Sequence, residues 1–402
     1  MKDVSVLKVS EHSNWIGVLD KELVTFDVVM ETKYGTTYNS YFINAEKKAV
    51  IETVKERFWP VYEAKLREVM DPSTLQYIVM NHTEPDHSGC VGKLLELAPD
   101  AVVVGSGNAI RYLKDLTTVP FKSLQVKDGD ELDLGNLTLR FISAPNLHWP
   151  DTMYSYLVED KVLFTCDSFG AHYADDRMYD DLVGDWDDSF TYYFDVILKP
   201  FSKFMLKAIE RIRPLEIDVI ATGHGPILRS TWRKYVDMSE RYAREALELP
   251  QKTRVYIPYV SAYHKTGALA EAIADGLRTN KELDVFLQDI EHTSLGEIDM
   301  QVAMASGLIV GCPTINQNIL LPIYRLFAVI SPLRDKGKLA GGFGSYGWSG
   351  EGMKMIRTNL ENLKMHYTED DVFVKFSPDS NDIERAFNYG KRFGEQLIKQ
   401  SL

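Results

Sequence analysis

The sequence N-H-T-E-P-D-H-S-G at residues 81–89 concentrates side chains that bind metals. Four of its side chains are of metal-ligand type: His82, Glu84, Asp86 and His87. The apolar run at residues 77–80 precedes them and predicts a buried strand, and Pro85 and Gly89 indicate a loop that leaves it. Imidazole together with carboxylate suits zinc, iron or manganese. The alternative is a solvated polar loop that happens to hold two histidines, so the metal hypothesis needs further ligands elsewhere.

The size and composition of the chain limit what surrounds this segment. A chain of 402 residues exceeds one ordinary core, which predicts two domains. A net charge of −13 indicates that neither nucleic acid nor an anionic membrane is a main partner. The start of the chain has no signal-peptide pattern, and the longest apolar run, at residues 303–312, is too short to cross a bilayer. These features predict a cytoplasmic protein.

The cysteines support the same compartment. Cys90, Cys166 and Cys312 are odd in number and widely spaced, as is typical of a protein in a reducing cytosol. The sequence has no C-x-x-C pair, so the chain carries no cysteine-ligated iron centre of the rubredoxin type.

The first half of the chain mixes short apolar runs with helical patterns. Strands are predicted at residues 49–51, 77–80, 101–104, 137–142, 162–165 and 218–221. Helices are predicted at residues 62–70, 92–97, 109–113 and 198–211. This mixture indicates a layered α/β domain. The acidic segment at residues 180–191 is interpreted as an exposed loop or lid edge, with an active-site cluster of acids as the alternative.

The pattern of predicted strands and helices changes near residues 245–253, which marks a domain boundary. The predicted domains are therefore 1–250 and 251–402. Beyond it strands are predicted at residues 255–260, 284–288, 307–310, 338–342 and 372–376, with helices between them and a last helix at 381–400. This alternation predicts a doubly wound, five-stranded parallel sheet. Pro258 falls inside the first of these strands, which indicates either a bulge or an error in the register.

Three later loops supply the ligands that the first segment requires. His148, Asp167 and His224 each follow an apolar strand. Each signal is weak alone, since a lone histidine is more often structural than ligating. Because sheet ends place such loops side by side, seven ligands are expected to converge on a pair of metals, with the carboxylate of Asp167 between them.

The ordered set H-x-E-x-D-H, then His, Asp and His, resembles the metallo-β-lactamase superfamily, whose αββα sandwich carries H-x-H-x-D-H. Glu84 stands where that superfamily has its second histidine. Hydrolytic members bind zinc and activate water. A carboxylate at this position is a harder donor and favours iron, and the pattern is similar to that of the flavodiiron proteins.

The flavodiiron resemblance implies roles for the seven side chains. By that resemblance the first iron takes His82, Glu84 and His148, and the second takes Asp86, His87 and His224. Asp167 bridges the two. The remaining histidines are expected at the surface, except His172, which is expected to line the pocket without ligating. Tyr193 is expected either to pack in the core or to donate a hydrogen bond to the ligands.

Three loops of the second domain indicate a flavin site at the carboxyl ends of its strands. They lie at residues 261–267, 311–318 and 343–351 and include G-x-P-T-x-N and G-x-x-G-W-x-G. Hydroxyls and N–H groups ahead of a helix make a phosphate cradle, and an aromatic ring covers a planar group. The candidate contacts are Ser261, Tyr263, His264, Lys265, Thr266, Pro313, Thr314, Asn316, Ser345, Tyr346, Gly347 and Trp348. The loops resemble a short-chain flavodoxin, which implies FMN.

The resemblance covers the whole chain and implies an oxidoreductase that reduces dioxygen to water, nitric oxide to nitrous oxide, or both. It implies electron transfer through FMN from an external donor such as rubredoxin. It also implies a head-to-tail homodimer or a dimer of dimers. Two alternatives remain: a zinc-dependent hydrolase fused to a flavodoxin, and an electron carrier with a vestigial metal site. The sequence leaves open which gas is preferred and which donor is used.

Overall fold

The computed structural model describes residues 5–26, 30–248 and 253–401. The chain divides into two compact units: of the described residues, 5–26 and 32–248 form the first, and 30–31 and 253–401 form the second. The strand Met30–Glu31 therefore belongs to the second unit, although it precedes Glu248 in the chain. The predicted boundary at residue 250 lies outside the described residues. Among the described residues no helix combines the length and the apolar character needed to cross a membrane.

Short strands make up most of the first unit. In chain order the strands up to Glu248 are β1 (Leu7–Lys8), β2 (Ser13–Trp15), β3 (Val18–Asp20), β4 (Thr25–Phe26), β5 (Met30–Glu31), β6 (Thr36–Tyr38), β7 (Tyr41–Ile43), β8 (Ala49–Ile51), β9 (Tyr77–Met80), β10 (Val102–Gly105), β11 (Lys122–Gln125), β12 (Glu131–Asp133), β13 (Thr138–Ser143), β14 (Met153–Leu157), β15 (Val162–Cys166) and β16 (Val219–Thr222). The helices are α1 (Trp59–Val69), α2 (Pro85–Ser88), α3 (Val91–Leu97), α4 (Gly107–Leu116), α5 (Asp187–Tyr193), α6 (Ser202–Ile212) and α7 (Trp232–Leu247). A π-helical turn, Phe194–Leu198, follows α5 directly.

Two sheets face each other across one core. The first has the order β1-β2-β7-β8-β9-β10-β11 and the second the order β12-β13-β14-β15-β16. Ile51 and Val79 from the first sheet belong to the same buried cluster as Phe141 and Phe164 from the second. Helix α4 packs on β10 and helix α6 on β13, so helices cover the sheets from outside. The predicted αββα sandwich is confirmed.

The acidic segment is only partly the exposed loop that its charge predicts. Asp180 is buried, because its carboxylate accepts hydrogen bonds from the backbone N–H groups of Arg229, Ser230 and Thr231. Trp186 is buried as well, and α5 begins directly after it. The prediction was wrong here because a charged sequence does not reveal a carboxylate that caps a turn.

The second unit alternates strands and helices regularly. Its strands are β17 (Thr253–Tyr259), β18 (Leu283–Asp289), β19 (Gly307–Gly311), β20 (Leu339–Tyr346), β21 (His366–Tyr367) and β22 (Val372–Lys375). Its helices are α8 (Lys265–Arg278), α9 (Leu295–Met304), α10 (Leu321–Val329), α11 (Pro332–Asp335), α12 (Glu351–Asn362) and α13 (Ser380–Ser401).

All the strand pairs of this sheet are parallel, in the order β18-β17-β19-β20. The fifth position holds two short strands, since β21 and β22 both pair with β20 at different points along it. The doubly wound, flavodoxin-like fold is therefore confirmed, with its last strand in two pieces.

Pro258 sits in β17 without a bulge and without a shift of register. It pairs with Gln288 of β18, and the pairs of β17 with β19 keep the same offset before and after it. The ladder to β19 omits the pairs at Ile257 and Pro258. Both explanations expected from the sequence were wrong, because a local gap in the ladder is enough to accommodate the missing N–H.

Candidate metal centre and flavin pocket

Four loops of the first unit meet at one place. The loop after β9 carries His82 and Glu84, and the short helix α2 that follows begins with Pro85 and presents Asp86 and His87. Proline is favoured at the first position of a helix because its missing N–H has no partner there in any case. The loops after β13, β15 and β16 supply the remaining three side chains: His148, Asp167 and His224.

The first group of side chains surrounds one oxygen of Glu84. Its Oε2 lies 2.9 Å from Nε2 of His148 and 3.3 Å from Nε2 of His82. Oδ2 of Asp167 lies 3.6 Å from the same nitrogen of His82 and 3.7 Å from that of His148. Atoms this close to one another can bind a single ion.

The second group surrounds Asp86. Its Oδ2 lies 3.1 Å from Nε2 of His224 and 3.5 Å from Nε2 of His87. Oδ1 of Asp167 lies 3.2 Å from Nε2 of His87 and 3.5 Å from Nε2 of His224. Asp167 therefore turns one oxygen to each group, which is the arrangement that a bridging carboxylate requires.

The burial of these oxygens fits a bound cation. Both carboxylate oxygens of Asp86 and Oδ2 of Asp167 are buried without a hydrogen-bond partner among the described residues. A buried charged oxygen left without a donor is costly, so such atoms are normally paired with donors or metals. Imidazole and carboxylate donors without a thiolate suit zinc, iron or manganese.

The pKa values of the ligand side chains also favour a bound cation. Burial lowers the pKa of His82, but hydrogen bonds with Asp151 and Glu84 and the charge of Asp167 outweigh it and raise this pKa to about 10. Burial raises the pKa of Asp167, but the neighbouring His87 and His82 outweigh it and hold this pKa well below its usual range. The cluster thus keeps Asp167 ionised and attracts positive charge, which a pair of metal ions would supply.

Acceptors behind the rings fix two of the imidazoles. Nδ1 of His82 lies 3.2 Å from Asp151, whose carboxylate also accepts from the N–H of Thr83 at 2.7 Å. Nδ1 of His224 lies 2.5 Å from the carbonyl oxygen of Thr37. A ligating histidine usually donates its second N–H in this way, which sets the tautomer and orients the ring. Sequence reasoning missed Asp151, although an acid three residues after His148 was a usable signal.

Tyr193 is the donor that the sequence left as one of two alternatives. Its hydroxyl donates to Oδ1 of Asp167 at 3.1 Å, and it is the last residue of α5 before the π-helical turn. Such turns are frequent at functional sites.

His172 lies beside the cluster but faces none of its carboxylates. Its Nδ1 lies 2.9 Å from the hydroxyl of Thr36, and its Nε2 has no partner among the described residues. Burial, with the nearby His224, holds the pKa of His172 well below its usual value. A neutral ring outside both ligand groups agrees with the expected lining role. Among the other histidines, His292 and His366 are exposed, and His12 pairs with Asp160 at 2.8 Å.

A cavity of about 440 Å³ in the second unit collects the three flavin loops. All the predicted contacts line it except Ser261 and His264. Ser261 instead accepts the N–H of Gly267 at 2.9 Å, within the first turn of α8. His264 precedes that helix with φ of 60° and does not reach the cavity.

Further residues line this cavity that the sequence did not single out: Ala262, Ile315, Gln317, Ser349, Phe376 and Ser377. The last two follow β22, so the end of the final strand was the signal that would have found them. The aromatic side chains are strongly exposed, at 84% for Trp348 and 78% for Tyr263. The faces of these two aromatic rings suit contact with a planar ring system. Lys265 at the start of α8 suits a phosphate group.

Comparison with known protein families assigns both units. A family model described as the ODP family beta lactamase matches residues 36–225, and the flavodoxin model matches residues 257–390.

Comparison with individual proteins covers nearly the whole chain. A type A flavoprotein of Rhodobacter capsulatus is 40% identical over 390 residues, which are 96% of this chain and 90% of that protein. A flavo-diiron protein of Clostridium acetobutylicum is 37% identical over 401 residues, 97% of this chain and 99% of that protein. The structure of rubredoxin oxygen:oxidoreductase from Desulfovibrio gigas superimposes with a TM-score of 0.74 at 27% identity, covering 98% of this chain and 99% of that one. The chain therefore belongs to the flavodiiron, or type A flavoprotein, family of oxidoreductases, whose cofactors are FMN and a non-haem diiron site.

Proposed function

We propose that the chain reduces dioxygen to water, nitric oxide to nitrous oxide, or both. The observation that carries this proposal is Asp167, which turns one oxygen to each of two ligand groups, with Glu84 in the first. The two ligand groups would hold a diiron centre that supplies the reducing chemistry, and the cavity of the second unit would hold the FMN that supplies electron transfer.

The proposed ligands are the seven side chains named above. His82, Glu84 and His148 would hold the first iron, and Asp86, His87 and His224 the second. Asp167 would bridge them. The Tyr193 hydroxyl would hold Oδ1 of Asp167 in place through its hydrogen bond. Burial raises the pKa of Tyr193 well above its usual value, with Asp167 adding to the effect, so this proton stays on the phenol near neutral pH.

The proposed flavin contacts are the residues that line the cavity of the second unit. Thr266 begins the buried part of α8, and its hydroxyl lies 3.0 Å from that of Ser345. These hydroxyls, with the helix N-terminus and Lys265, would hold the phosphate of FMN. Trp348 and Tyr346 would cover its ring system.

An external protein is proposed as the electron donor, since the sequence has no C-x-x-C pair to ligate a further iron. Rubredoxin is the leading candidate, because a relative of similar structure is named for it. We also propose a head-to-tail homodimer or a dimer of dimers, as the family resemblance implies. The three cysteines are free and buried, which is compatible with the cytoplasm as the proposed compartment.

The deciding experiment is anaerobic turnover of iron-loaded, FMN-containing protein with reduced rubredoxin, with each gas offered separately. Consumption of either gas supports the proposal, and the ratio of the two rates gives the preference. Activity with a chemical reductant but not with rubredoxin would reject only the donor. Protein that holds iron and FMN but consumes neither gas would overturn the proposed reaction, and two zinc ions without iron would favour a hydrolase.

A further inference from the structure

Glu52 is a buried carboxylate that lies behind the proposed metal ligands and is not one of them. It follows β8 directly and is only 2% exposed. Its Oε1 accepts hydrogen bonds from the backbone N–H of Asn81 and, at 3.1 Å, from that of His82. One oxygen of Glu52 therefore holds the start of the ligand loop.

The other oxygen of Glu52 faces a ligand ring. Oε2 lies 3.2 Å from Nδ1 of His87 and 3.7 Å from the thiol sulfur of Cys166. The neighbouring Thr53 holds the same histidine by its backbone, since its N–H and its hydroxyl donate to the carbonyl oxygen of His87 at 2.7 and 2.5 Å. The segment after β8 thus contacts His87 at both its backbone and its ring.

The backbone of Glu52 has an uncommon conformation, which indicates that the fold requires this residue in a particular orientation. Its φ is 58°, in the left-handed region that non-glycine residues rarely adopt. Such conformations cost stability and cluster where the surrounding structure demands a particular side-chain direction. The N–H of Glu52 donates to the carbonyl oxygen of Val79 at 2.9 Å, and its own carbonyl oxygen accepts from the hydroxyl of Ser40 at 2.8 Å. Strand β9 and the residue before β7 therefore fix this conformation.

Glu52 repeats the arrangement seen at two other rings. His82 has Asp151 at its Nδ1, and His224 has the carbonyl oxygen of Thr37. In all three cases Nε2 points to the proposed metal position and Nδ1 to an oxygen. Ligating histidines are generally oriented by such partners.

We propose that Glu52 is the positioning residue of His87. With one oxygen it holds the backbone of Asn81 and His82, and with the other it draws the Nδ1 proton of His87, so that Nε2 carries the free lone pair toward the second metal. This inference rests on the ligand set proposed above and adds a residue that acts through His87 rather than on the metal.

The substitution Glu52→Gln separates the two roles of the carboxylate. The amide oxygen of glutamine still accepts from Asn81 and His82, so the loop remains held. The amide NH₂ group, however, is a donor, and it can hydrogen-bond to Nδ1 of His87 only if that nitrogen carries a lone pair instead of a proton. The proton of the neutral ring then moves to Nε2, which removes the atom that would bind the metal.

The test measures metal affinity by chelator competition in four full-length, FMN-containing proteins: wild type, Glu52→Gln, His87→Ala and the double variant. Glu52→Gln should weaken the second metal by about 10–100-fold, the usual effect of losing a partner behind a ligand. In the His87→Ala background the same change should have no further effect, because residues that act as a unit are non-additive. Pulsed EPR of the mixed-valence iron pair should show one coordinated histidine nitrogen fewer in Glu52→Gln.

Asp151→Ala provides the control at the other ring, since it removes the oxygen that faces Nδ1 of His82 and accepts the N–H of Thr83. It should weaken the first metal and not the second. Equal losses from Glu52→Gln with and without His87 would overturn the proposal and assign Glu52 to the loop alone. Retention of the His87 nitrogen signal in Glu52→Gln would overturn it as well.

A measurement on the unaltered protein keeps the proposal testable if Glu52→Gln does not fold. With zinc as a diamagnetic probe, ¹⁵N NMR of the histidine rings should show the ring of His87 protonated at Nδ1 and coordinated at Nε2. The reverse assignment would overturn the role of Glu52. Wild-type protein that binds only one metal would instead overturn the proposed ligand set.

Discussion

Substitution of Gly223 by alanine tests whether His87 is held as tightly as the structure indicates. Gly223 lies between β16 and His224, and a Cβ atom there would sit 2.8 Å from Cε1 of His87. It would also lie 2.9 Å from the carbonyl carbon and 3.1 Å from the Cα of Cys166. Two carbon atoms prefer about 3.5–4.0 Å, so something must move by about 0.7 Å.

Both neighbours are expected to move, because the Cβ atom would lie less than 3.0 Å from the ring of His87 and from the backbone of Cys166. The backbone of Cys166 resists this movement, since β15 pairs with β16 there and the N–H of Gly223 donates to the carbonyl oxygen of Cys166 at 2.6 Å. Overpacking of this kind costs about 1–3 kcal/mol. In a domain of this size each kcal/mol lowers the Tm by about 2–4 °C, so we expect a decrease of about 2–12 °C.

The assay compares thermal unfolding and metal affinity in Gly223→Ala and in Gly107→Ala. Gly107 begins α4, and a Cβ atom there would meet only Oε1 of Gln125, at an ordinary 3.7 Å. The control is therefore expected to change stability by less than about 0.5 kcal/mol. In Gly223→Ala the second metal should bind more weakly and the first should be unaffected. Wild-type Tm and wild-type affinity for both metals in Gly223→Ala would refute the packing described around His87.

Three further predictions concern the donor set, the protons and the flavin. Glu84→His should impair gas reduction more than FMN binding, measured by turnover and by flavin titration; equal losses of both would mean that Glu84 acts through folding. The pKa of His82 is raised from 6.5 to about 10, so below pH 10 a metal ion must displace a proton from this ring. The metal affinity of the protein should therefore rise about tenfold per pH unit for each proton released between pH 7 and 10. Metal-free protein should show the opposite trend in thermal unfolding, since the stabilisation from protonated His82 is full below pH 6.5 and is lost as the pH rises through about 10. Trp348→Ala should weaken FMN by about 2–12-fold, the equivalent of one aromatic contact of about 0.5–1.5 kcal/mol, and an unchanged Kd would remove Trp348 from the ring contacts.

The longer elements of the fold were predictable because their patterns are strong. The runs at residues 77–80 and 162–165 consist of apolar residues that leave no polar face, and both are buried strands. The strands before residue 44 are two or three residues long, too short for alternation to show, and were not predicted individually. The helix predicted at residues 198–211 begins at Ser202, because residues 199–201 form a 3₁₀ turn that the sequence pattern does not distinguish from an α-helix.

The residues of the candidate site were also predictable only in part. The seven side chains of ligand type were found because histidine and carboxylate after apolar strands form a pattern. The structure brings six of them into two groups with Asp167 between the groups, although metal binding by them stays a proposal. Glu52 and Asp151 were missed because their roles depend on which backbone groups and which ring nitrogen they reach. In the flavin pocket Ser261 and His264 were included by their position in the loop, but the turn into α8 directs them elsewhere.

The π-helical turn after Tyr193 makes the hydrogen bond from Tyr193 to Asp167 depend on the number of residues in this segment. The π-helical turn is followed by a 3₁₀ turn at residues 199–201 and then by the helix Ser202–Ile212. Deleting one residue from the π-helical turn would change the direction of Tyr193 relative to α6, because each residue turns a helix by about 100°. The shortened segment would still bury an apolar stripe, yet the phenol would leave Asp167. Related chains that differ here by one residue would therefore differ at the bridging carboxylate even where all seven ligand types are kept.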